Sequence, residues 1–336
     1  MQTLFKTLTV GLALTAIAAF AQTMPTFEVA TVKPAAPLDV AKIQAALQAG
    51  GKMPVGVSVD SRRAEYLYVD LKTLIARAYS VKPYQITGPD WLGTTRFDII
   101  AKIPDGASKE DEPKMLQSLL EDRFKLTTHR TSGEHPVLAL VVGKGGIKMK
   151  ESAQLPVAID ESVPLKPGEI KTEGPDGPVR VTVDMKTGSS VVDLGLKGKM
   201  SQKMNPATQT MHIDFSMTTM GGFADMLTQI FTQLGGTAGR QIVDMTNLKG
   251  HYEASLDLSL ADLIAMARNA GVDVSGAGQG QGPGNPGAAV NTAPDPGGSG
   301  LTVGEAVQSL GLKLESRKAV VDQFVIDHIE KTPTEN

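Results

Sequence analysis

Histidines are the residues of this chain best able to bind a metal or move protons, and two of the five lie close together. His129 and His135 flank Glu134. A zinc-protease helix needs two histidines four residues apart with a glutamate between them. Here the two histidines are six residues apart, and Gly133 between them favours a turn. The spacing therefore predicts a polar hairpin between two strands and no metal site.

Other patterns that carry chemistry are incomplete or missing. Asp244-Met245-Thr246 has the aspartate and threonine of an aspartic-protease loop, but methionine stands between them and no partner loop follows. The chain contains no cysteine, which excludes disulfides, thiolate nucleophiles and cysteine-bound zinc or iron–sulfur clusters. No Gly-x-Ser-x-Gly elbow is present. We predict no catalytic residue, metal or cofactor, with a hydrolase that uses scattered Asp, Glu and His side chains as the alternative.

Aromatic side chains near one loop are the candidate binding residues. Trp91, the only tryptophan, lies in a Gly-Pro-Asp-Trp-Leu-Gly segment, with Tyr79 and Tyr84 close in sequence. Loop aromatics are frequent anchors for a partner. Tryptophan is also highly buried on average, so the other interpretation is that Trp91 closes the end of a core, and burial favours this second interpretation.

The N-terminus has the pattern of a secretory signal peptide over residues 1–21. Lys6 is followed by an apolar run from Leu8 to Phe20 and by the small-x-small site Ala19-Phe20-Ala21. The run has about 13 residues, whereas a membrane-spanning helix needs roughly 20. We expect a mature chain that begins at Gln22, resides in the periplasm or outside the cell, and has no transmembrane segment after cleavage.

Composition limits the classes of partner. The formal net charge is −3, and no basic stripe is visible, so nucleic acid is not an expected partner. Apolar residues make up 41% of the chain, which is enough for cores that need no disulfides.

Periodicity and composition predict two domains. Helical spacing of apolar residues appears after residue 70, after 112, after 220 and after 302, with strand-like segments between these helices. Residues 151–178 are rich in proline, glycine and charge, and separate a first domain over 22–150 from a second over 179–336. Residues 273–300 form a Gly/Pro-rich insertion that we expect to be flexible. Residues 179–200 predict a further hairpin that turns at Lys186-Thr187-Gly188.

The two halves repeat the same order of elements. A shift of 156 residues places Val55, Val57 and Val59 on Met211, Ile213 and Phe215, and Gln85-Ile86 on Gln241-Ile242. Beyond the insertion the shift becomes 188. Each half is then strand-helix-strand-strand-helix-strand(-strand). Single helices between short strands cover one face of a sheet, so we predict an α+β fold made of a duplicated two-layer sandwich.

The second half contains a run of recognisable segments: the helix 223–234, Gly235-Gly236, Ile242-Val243-Asp244, the strand 252–256 and Leu310-Gly311-Leu312. In this order they resemble the short N-terminal domain of secretins and TonB-dependent receptors. The resemblance covers about residues 211–329 and departs from the pattern at 259–300.

A set of short motifs runs through the mature chain: Phe27–Pro34, Gly88–Leu92, Phe97–Ile99, Arg123–Leu126, Val243–Thr246 and Val325–His328. Through these motifs the mature chain as a whole is similar to a large exported family of unknown function abundant in acidobacteria, of the Solibacter type. Related domains occur on membrane-bound sensor-type metallopeptidases, so the resemblance implies an extracytoplasmic sensing or interaction role.

Together these features predict an exported, non-catalytic binding or assembly module of the cell envelope. Its partner would be an envelope protein, held by pairing of a strand with a sheet edge. The alternatives are an extracytoplasmic hydrolase and a small-ligand carrier with a pocket between the two lobes.

Overall fold

The structure, a computed structural model, describes residues 24–38, 55–166, 168–174, 177–184, 186–233, 240–259 and 303–334. The expected signal peptide (1–21) and Gly/Pro-rich insertion (273–300) lie outside the described residues. The described chain contains several sheets and few helices, so the protein is mixed in helix and strand, as the sequence predicts. Within the described ranges, no helix combines the length and the apolar character that crossing a membrane requires.

Strands outnumber helices among the described elements, and two α-helices lie in each half of the chain. The α-helices are α1 (Leu71–Tyr79), α2 (Glu112–Phe124), α3 (Met220–Gln233) and α4 (Val303–Ser309). The strands are β1 (Val29–Pro34), β2 (Gly56–Val59), β3 (Arg63–Asp70), β4 (Ile86–Thr87), β5 (Arg96–Lys102), β6 (Thr127–Val142), β7 (Lys150–Glu151), β8 (Glu169–Gly174), β9 (Gly177–Asp184), β10 (Ser189–Asp193), β11 (Lys199–Asn205), β12 (Thr210–Thr218), β13 (Ile242–Asp244), β14 (Tyr252–Ser259) and β15 (Leu312–His328).

The first sheet has the strand order β1-β5-β3-β2, with antiparallel neighbours. Helices α1 and α2 contribute to the first hydrophobic core together with this sheet. Leu71, Leu74 and Ile75 of α1 are buried because their spacing places them on one side of the helix. Asp70 begins this helix by accepting a hydrogen bond from Thr73 N at 2.8 Å.

The second sheet has seven strands in the order β7-β14-β12-β11-β10-β9-β8. Ile213 and Phe215 of β12 point into the second core, where Phe223 and Leu227 of α3 lie. Strands β9 and β10 form the predicted hairpin before β11. Strand β8 belongs to this sheet and lies within residues 151–178, the segment expected to connect the two domains.

The third sheet, β13-β6-β15-β4, connects the two cores. Strands β6 and β15 pair antiparallel along almost their whole length, and β13 and β4 add parallel to their outer sides. Phe324 of β15 is buried in the first core, whereas Leu140 of β6 is buried in the second. Each long strand therefore contributes to the core that contains the helices of the other half.

The predicted hairpin at residues 129–135 is wrong. Gly133 lies inside the continuous strand β6 and is paired with Val321 of β15. The polar residues there stay extended because their backbone pairs with β15, where the ribbon bridges the two cores. Gly133 favours a turn in the sequence, but the long pairing with β15 keeps this segment extended.

Candidate functional site

The three aromatic candidates contact other parts of the chain and do not line one shared cavity. Trp91 packs partly buried against the first core, and Lys331 Nζ lies 6.0 Å from the centre of its ring. The Tyr79 ring lies 4.7 Å from that of Phe324. Tyr84 Oη donates to Asp225 Oδ1 at 2.6 Å and so links a loop of the first half to α3.

Tyr79 also bonds to the surface of α2. Its hydroxyl donates to Glu121 Oε1 at 3.0 Å. Burial, and then this hydrogen bond, raise the pKa of Tyr79. The phenol therefore stays neutral and acts as a structural donor.

His129 and His135, whose spacing differs from that of a zinc-protease helix, lie apart along β6. His129 Nδ1 is 2.8 Å from Asp327 Oδ1, and His135 Nδ1 is 3.4 Å from Gln323 Nε2. Across the described ranges, no group of three or more His, Cys, Asp or Glu side chains is arranged to hold a metal ion.

Asp244 and Thr246 close a turn at the end of β13. Asp244 Oδ1 accepts hydrogen bonds from Thr246 N at 2.9 Å and from Thr246 Oγ1 at 2.7 Å. Both side chains of this aspartic-protease-like pattern are therefore engaged in local turn structure.

A cavity of about 410 Å³ lies between the first and second sheets. Edge strand β2 and the adjacent β3 form one wall, and β8 forms the other. The side of β3 that faces the cavity carries Glu65 and Leu67, whereas Ala64 and Tyr66 point into the first core. This volume is within the range of about 300–1,000 Å³ that is usual for small-ligand sites.

The side chain of Thr172 connects the two walls. Thr172 Oγ1 of β8 accepts a hydrogen bond from Val57 N and donates one to Val57 O, both at 3.2 Å. The neighbouring Gly56 has a φ of +97°, and a Cβ there would lie 3.1 Å from Thr172 Oγ1. Glycine at this position thus permits both the backbone conformation and the close approach of β8.

Two carboxylates in the cavity wall are buried. The Glu65 side chain is 8% exposed, and its Oε1 lies 2.8 Å from Nε of Arg63, which is 52% exposed. The Glu173 side chain is 3% exposed, and its Oε1 lies 3.2 Å from Lys109 Nζ. Each buried carboxylate therefore has its own, more exposed, cation.

A surface ion cluster extends from this cavity wall. Glu161 accepts hydrogen bonds from Lys109, at 2.7 Å, and from Lys171. These bonds lower the pKa of Glu161. Burial opposes the charge of Lys109, but the hydrogen bonds to Glu161 and the ion pair with Glu173 outweigh burial and raise its pKa. The Glu161 carboxylate and the Lys109 ammonium group therefore both stay ionised.

A buried polar network lies behind the cavity. Glu112, at the start of α2, is 0% exposed and accepts hydrogen bonds from Arg77 Nε at 2.9 Å, Arg77 Nη2 at 2.7 Å and Tyr66 Oη. Arg77 Nη1 donates to Gly174 O of β8 at 3.0 Å. Burial first, and Glu112 second, raise the pKa of Tyr66. The network thereby fixes the end of β8, and with it Glu173, against α1.

Residues 72–329 match a family whose description is "protein of unknown function (DUF3738)". This match covers well over half of the chain. The chain belongs to this family. No curated protein and no solved structure shows significant similarity to this DUF3738 member. The matched range contains Arg77, Glu112 and Glu173, whereas Glu65 and Tyr66 precede it.

A second polar cluster lies on the outer face of the seven-stranded sheet of this DUF3738 protein. His212 Nδ1 is 2.7 Å from Asp257 Oδ1, and Nε2 is 3.1 Å from Asp214 Oδ1. Ser255 Oγ donates to Asp214 Oδ1 at 2.5 Å. Register brings these residues together, because His212 pairs with Asp257 and Asp214 pairs with Ser255. The hydrogen bond to Asp257 raises the pKa of His212, partial burial opposes the rise, and Asp214 adds to it.

The raised pKa predicts a dependence of stability on pH. Protonated His212 stabilises the fold fully below the unfolded-state pKa of about 6.5, and this contribution is lost as pH rises through the higher folded-state pKa. Replacement of Asp257 with Asn should lower the pKa of His212 in an NMR titration and reduce the gain in stability on acidification. Asp327 lies beside a different histidine, His129, so Asp327→Asn is the control and should leave the pKa of His212 unchanged. An unchanged His212 pKa in D257N would contradict the assignment.

Proposed function

We propose that this protein is an exported, non-catalytic binding module of the cell envelope, and that the cavity between β2, β3 and β8 is its binding site. The observation that carries the proposal is a cavity of about 410 Å³ with two buried carboxylates in its wall. Burial of charged groups is costly, so their presence in a concave site marks a candidate binding site. Export rests on the signal pattern in residues 1–21, which predicts a mature N-terminus at Gln22.

A hydrolase is the second candidate, because Glu65 and Glu173 line the same cavity. Hydrolysis by a carboxylate pair needs one group that donates a proton and another that attacks or activates water. Here each carboxylate faces a cation of its own, and the described cavity wall contains no histidine. These contacts favour binding over acid–base catalysis.

Blocking the cavity tests the proposal. Ser58 is exposed on β2 and lines the cavity, so Ser58→Trp should fill it without disturbing the core. We expect the mature chain to retain a ligand or partner from envelope extract, detected by native mass spectrometry, and S58W to lose it. Thr131→Trp, at an exposed position of β6 in the third sheet, is the matched control and should retain it. Equal retention by S58W and wild type would reject the cavity as the site.

We further propose that the chain arose by an internal duplication. The elements β2-β3-α1-β4-β5-α2-β6 of the first half would then be repeated in the second half as β11-β12-α3-β13-β14-α4-β15. Two backbone details support this. Tyr68 and Met217 both have a φ of 56°, each at a register shift just before a helix. Asp70 and Thr219 then accept hydrogen bonds from the first turns of α1 and α3.

Two strand pairings between the halves support the same proposal. Strand β4 pairs parallel to β15 through Ile86 and Phe324, and β13 pairs parallel to β6 through Ile242 and Leu138. Ile242 lies 156 positions after Ile86 (242 − 86), which is the shift that the sequence indicates. Comparison of the two halves across many family members should reveal shared profiles, and an absence of any such similarity would reject the duplication.

A further inference from the structure

We propose that the cavity between β2, β3 and β8 receives an alkylammonium group, carried either by a free amine or by a lysine side chain of a partner. This inference rests on the proposed binding function and specifies the chemistry of the ligand.

The charges in the cavity wall favour a cation. Asp60, Glu65 and Glu173 contribute three carboxylates, and Lys171 contributes one ammonium group. The Lys171 ammonium is already paired with Glu161. An anionic ligand would therefore face three carboxylates and find its one possible partner occupied, whereas a cation would be attracted.

One buried oxygen in the wall lacks a hydrogen-bond donor. Glu173 Oε1 is inaccessible to solvent and receives no hydrogen bond from the described residues. Lys109 Nζ lies 3.2 Å away, near enough for an ion pair, but is not directed for a hydrogen bond. Arg77 directs its Nε and Nη2 donors to Glu112 and its Nη1 donor to Gly174 O. A rotation of the Glu173 side chain into the cavity would expose this oxygen to an ammonium group, which has three donors to direct at it.

Glu65 supplies a second acceptor from the opposite wall. Its partner Arg63 is half-exposed, so the guanidinium can move into water when a ligand cation arrives. The Asp60 carboxylate, in contrast, is engaged at Oδ1 by Arg62 N and Arg63 N, both at 2.8 Å. Glu65 and Glu173 are therefore the residues that would bind the ammonium group.

The remaining wall suits an alkyl chain. Leu67 of β3, together with Leu165 and Ile170 near β8, gives the cavity apolar surface next to the carboxylates. This combination of apolar surface and carboxylates suits an amine with a short alkyl chain better than a cation without an alkyl chain.

Calorimetric titration of the full mature chain distinguishes the two sources. The probes are cadaverine, N-acetyl-lysine amide, and pentanediol as a neutral analogue of cadaverine. We expect cadaverine or N-acetyl-lysine amide to bind and pentanediol not to bind. Binding of cadaverine alone indicates a free diamine, and binding of the lysine amide indicates a side chain of a protein partner. Pentanediol binding as tightly as both amines, or no binding of either amine, would overturn the inference.

Variants of the two carboxylates complete the test. Glu65→Gln and Glu173→Gln keep the side-chain shape and should each weaken amine binding about tenfold or more, the cost of losing a charge-assisted hydrogen bond. Glu315→Gln, which changes a partly exposed carboxylate of β15 in the third sheet, is the control and should leave the affinity unchanged. Unchanged affinity in both E65Q and E173Q would also overturn the inference. If neither amine binds but capture from extract is still abolished by S58W, the ammonium inference fails and the proposed function stands.

Discussion

Replacement of Glu112 with alanine is expected to lower the free energy of unfolding by about 3–5 kcal/mol, because it leaves a buried cation without its partner. Arg77 would lose three hydrogen bonds to the Glu112 carboxylate, and Tyr66 Oη would lose its acceptor. Neither side chain can reach water without movement, since Tyr66 is buried and Arg77 is nearly so. Urea unfolding followed by circular dichroism measures the effect.

Two further variants separate the lost pairing from lost packing. Glu121→Ala removes a carboxylate from the exposed side of the same helix, where it accepts only from Tyr79, and should cost about 1 kcal/mol or less. The triple variant Y66F/R77M/E112L replaces the whole network by apolar groups and should recover most of the stability lost in E112A. A loss below about 1 kcal/mol in E112A would show that the network contributes little.

The same network links stability to the proposed site. Arg77 Nη1 bonds to Gly174 O at the end of β8, and Thr172 bonds to the backbone of Val57 on β2. These two attachments set the separation of the cavity walls and hence the position of Glu173. A variant that frees Arg77 should therefore also disturb ligand binding at the cavity.

The helices of this fold could be predicted from the sequence. Leu71, Leu74 and Ile75 recur at helical spacing and are all buried. The spacing of these apolar residues is visible within one element, so the helix can be recognised without knowledge of its tertiary partners.

Strand β3 could not be predicted, although it is central in the first sheet. Its register shifts between Tyr66 and Val69, with Tyr68 at a positive φ. This bulge interrupts the alternation of buried and exposed residues on which strand prediction depends. The shift of 156 residues consequently matched Val55–Val59 to β12; under the proposed duplication, the bulge and the following helix cap would match β3 to β12 instead.

The candidate site was missed for a different reason. Glu65 lies on the unpredicted β3, and Thr172 and Glu173 lie in the segment expected to connect two domains. Glutamate in a strand or a linker normally points to solvent. Only the contact between the first and second sheets buries these residues, and no local pattern in the sequence records that contact.

Gly311, which follows α4, carries the second large predicted effect. It has a φ of +77°, and a Cβ there would lie 2.1 Å from Gly146 O and 2.9 Å from Lys148 N. Lys125, after α2, has a similar left-handed φ of 52° and is not glycine. The left-handed conformation at a helix end is therefore tolerated in this protein, and the close backbone approach is what requires glycine at 311.

Replacement of Gly311 with alanine should lower the free energy of unfolding by about 2–4 kcal/mol, because backbone on both sides of the contact must move. Two hydrogen bonds would be strained, from Gly143 N to Gly311 O at 2.8 Å and from Lys148 N to Leu310 O at 2.9 Å. Gly145→Ala is the matched control in the same turn, since its Cβ would meet nothing within 4 Å. Thermal or urea unfolding of both variants measures the difference. Equal stability of G311A and G145A would mean that the turn at 143–148 can move away from the end of α4 at no cost.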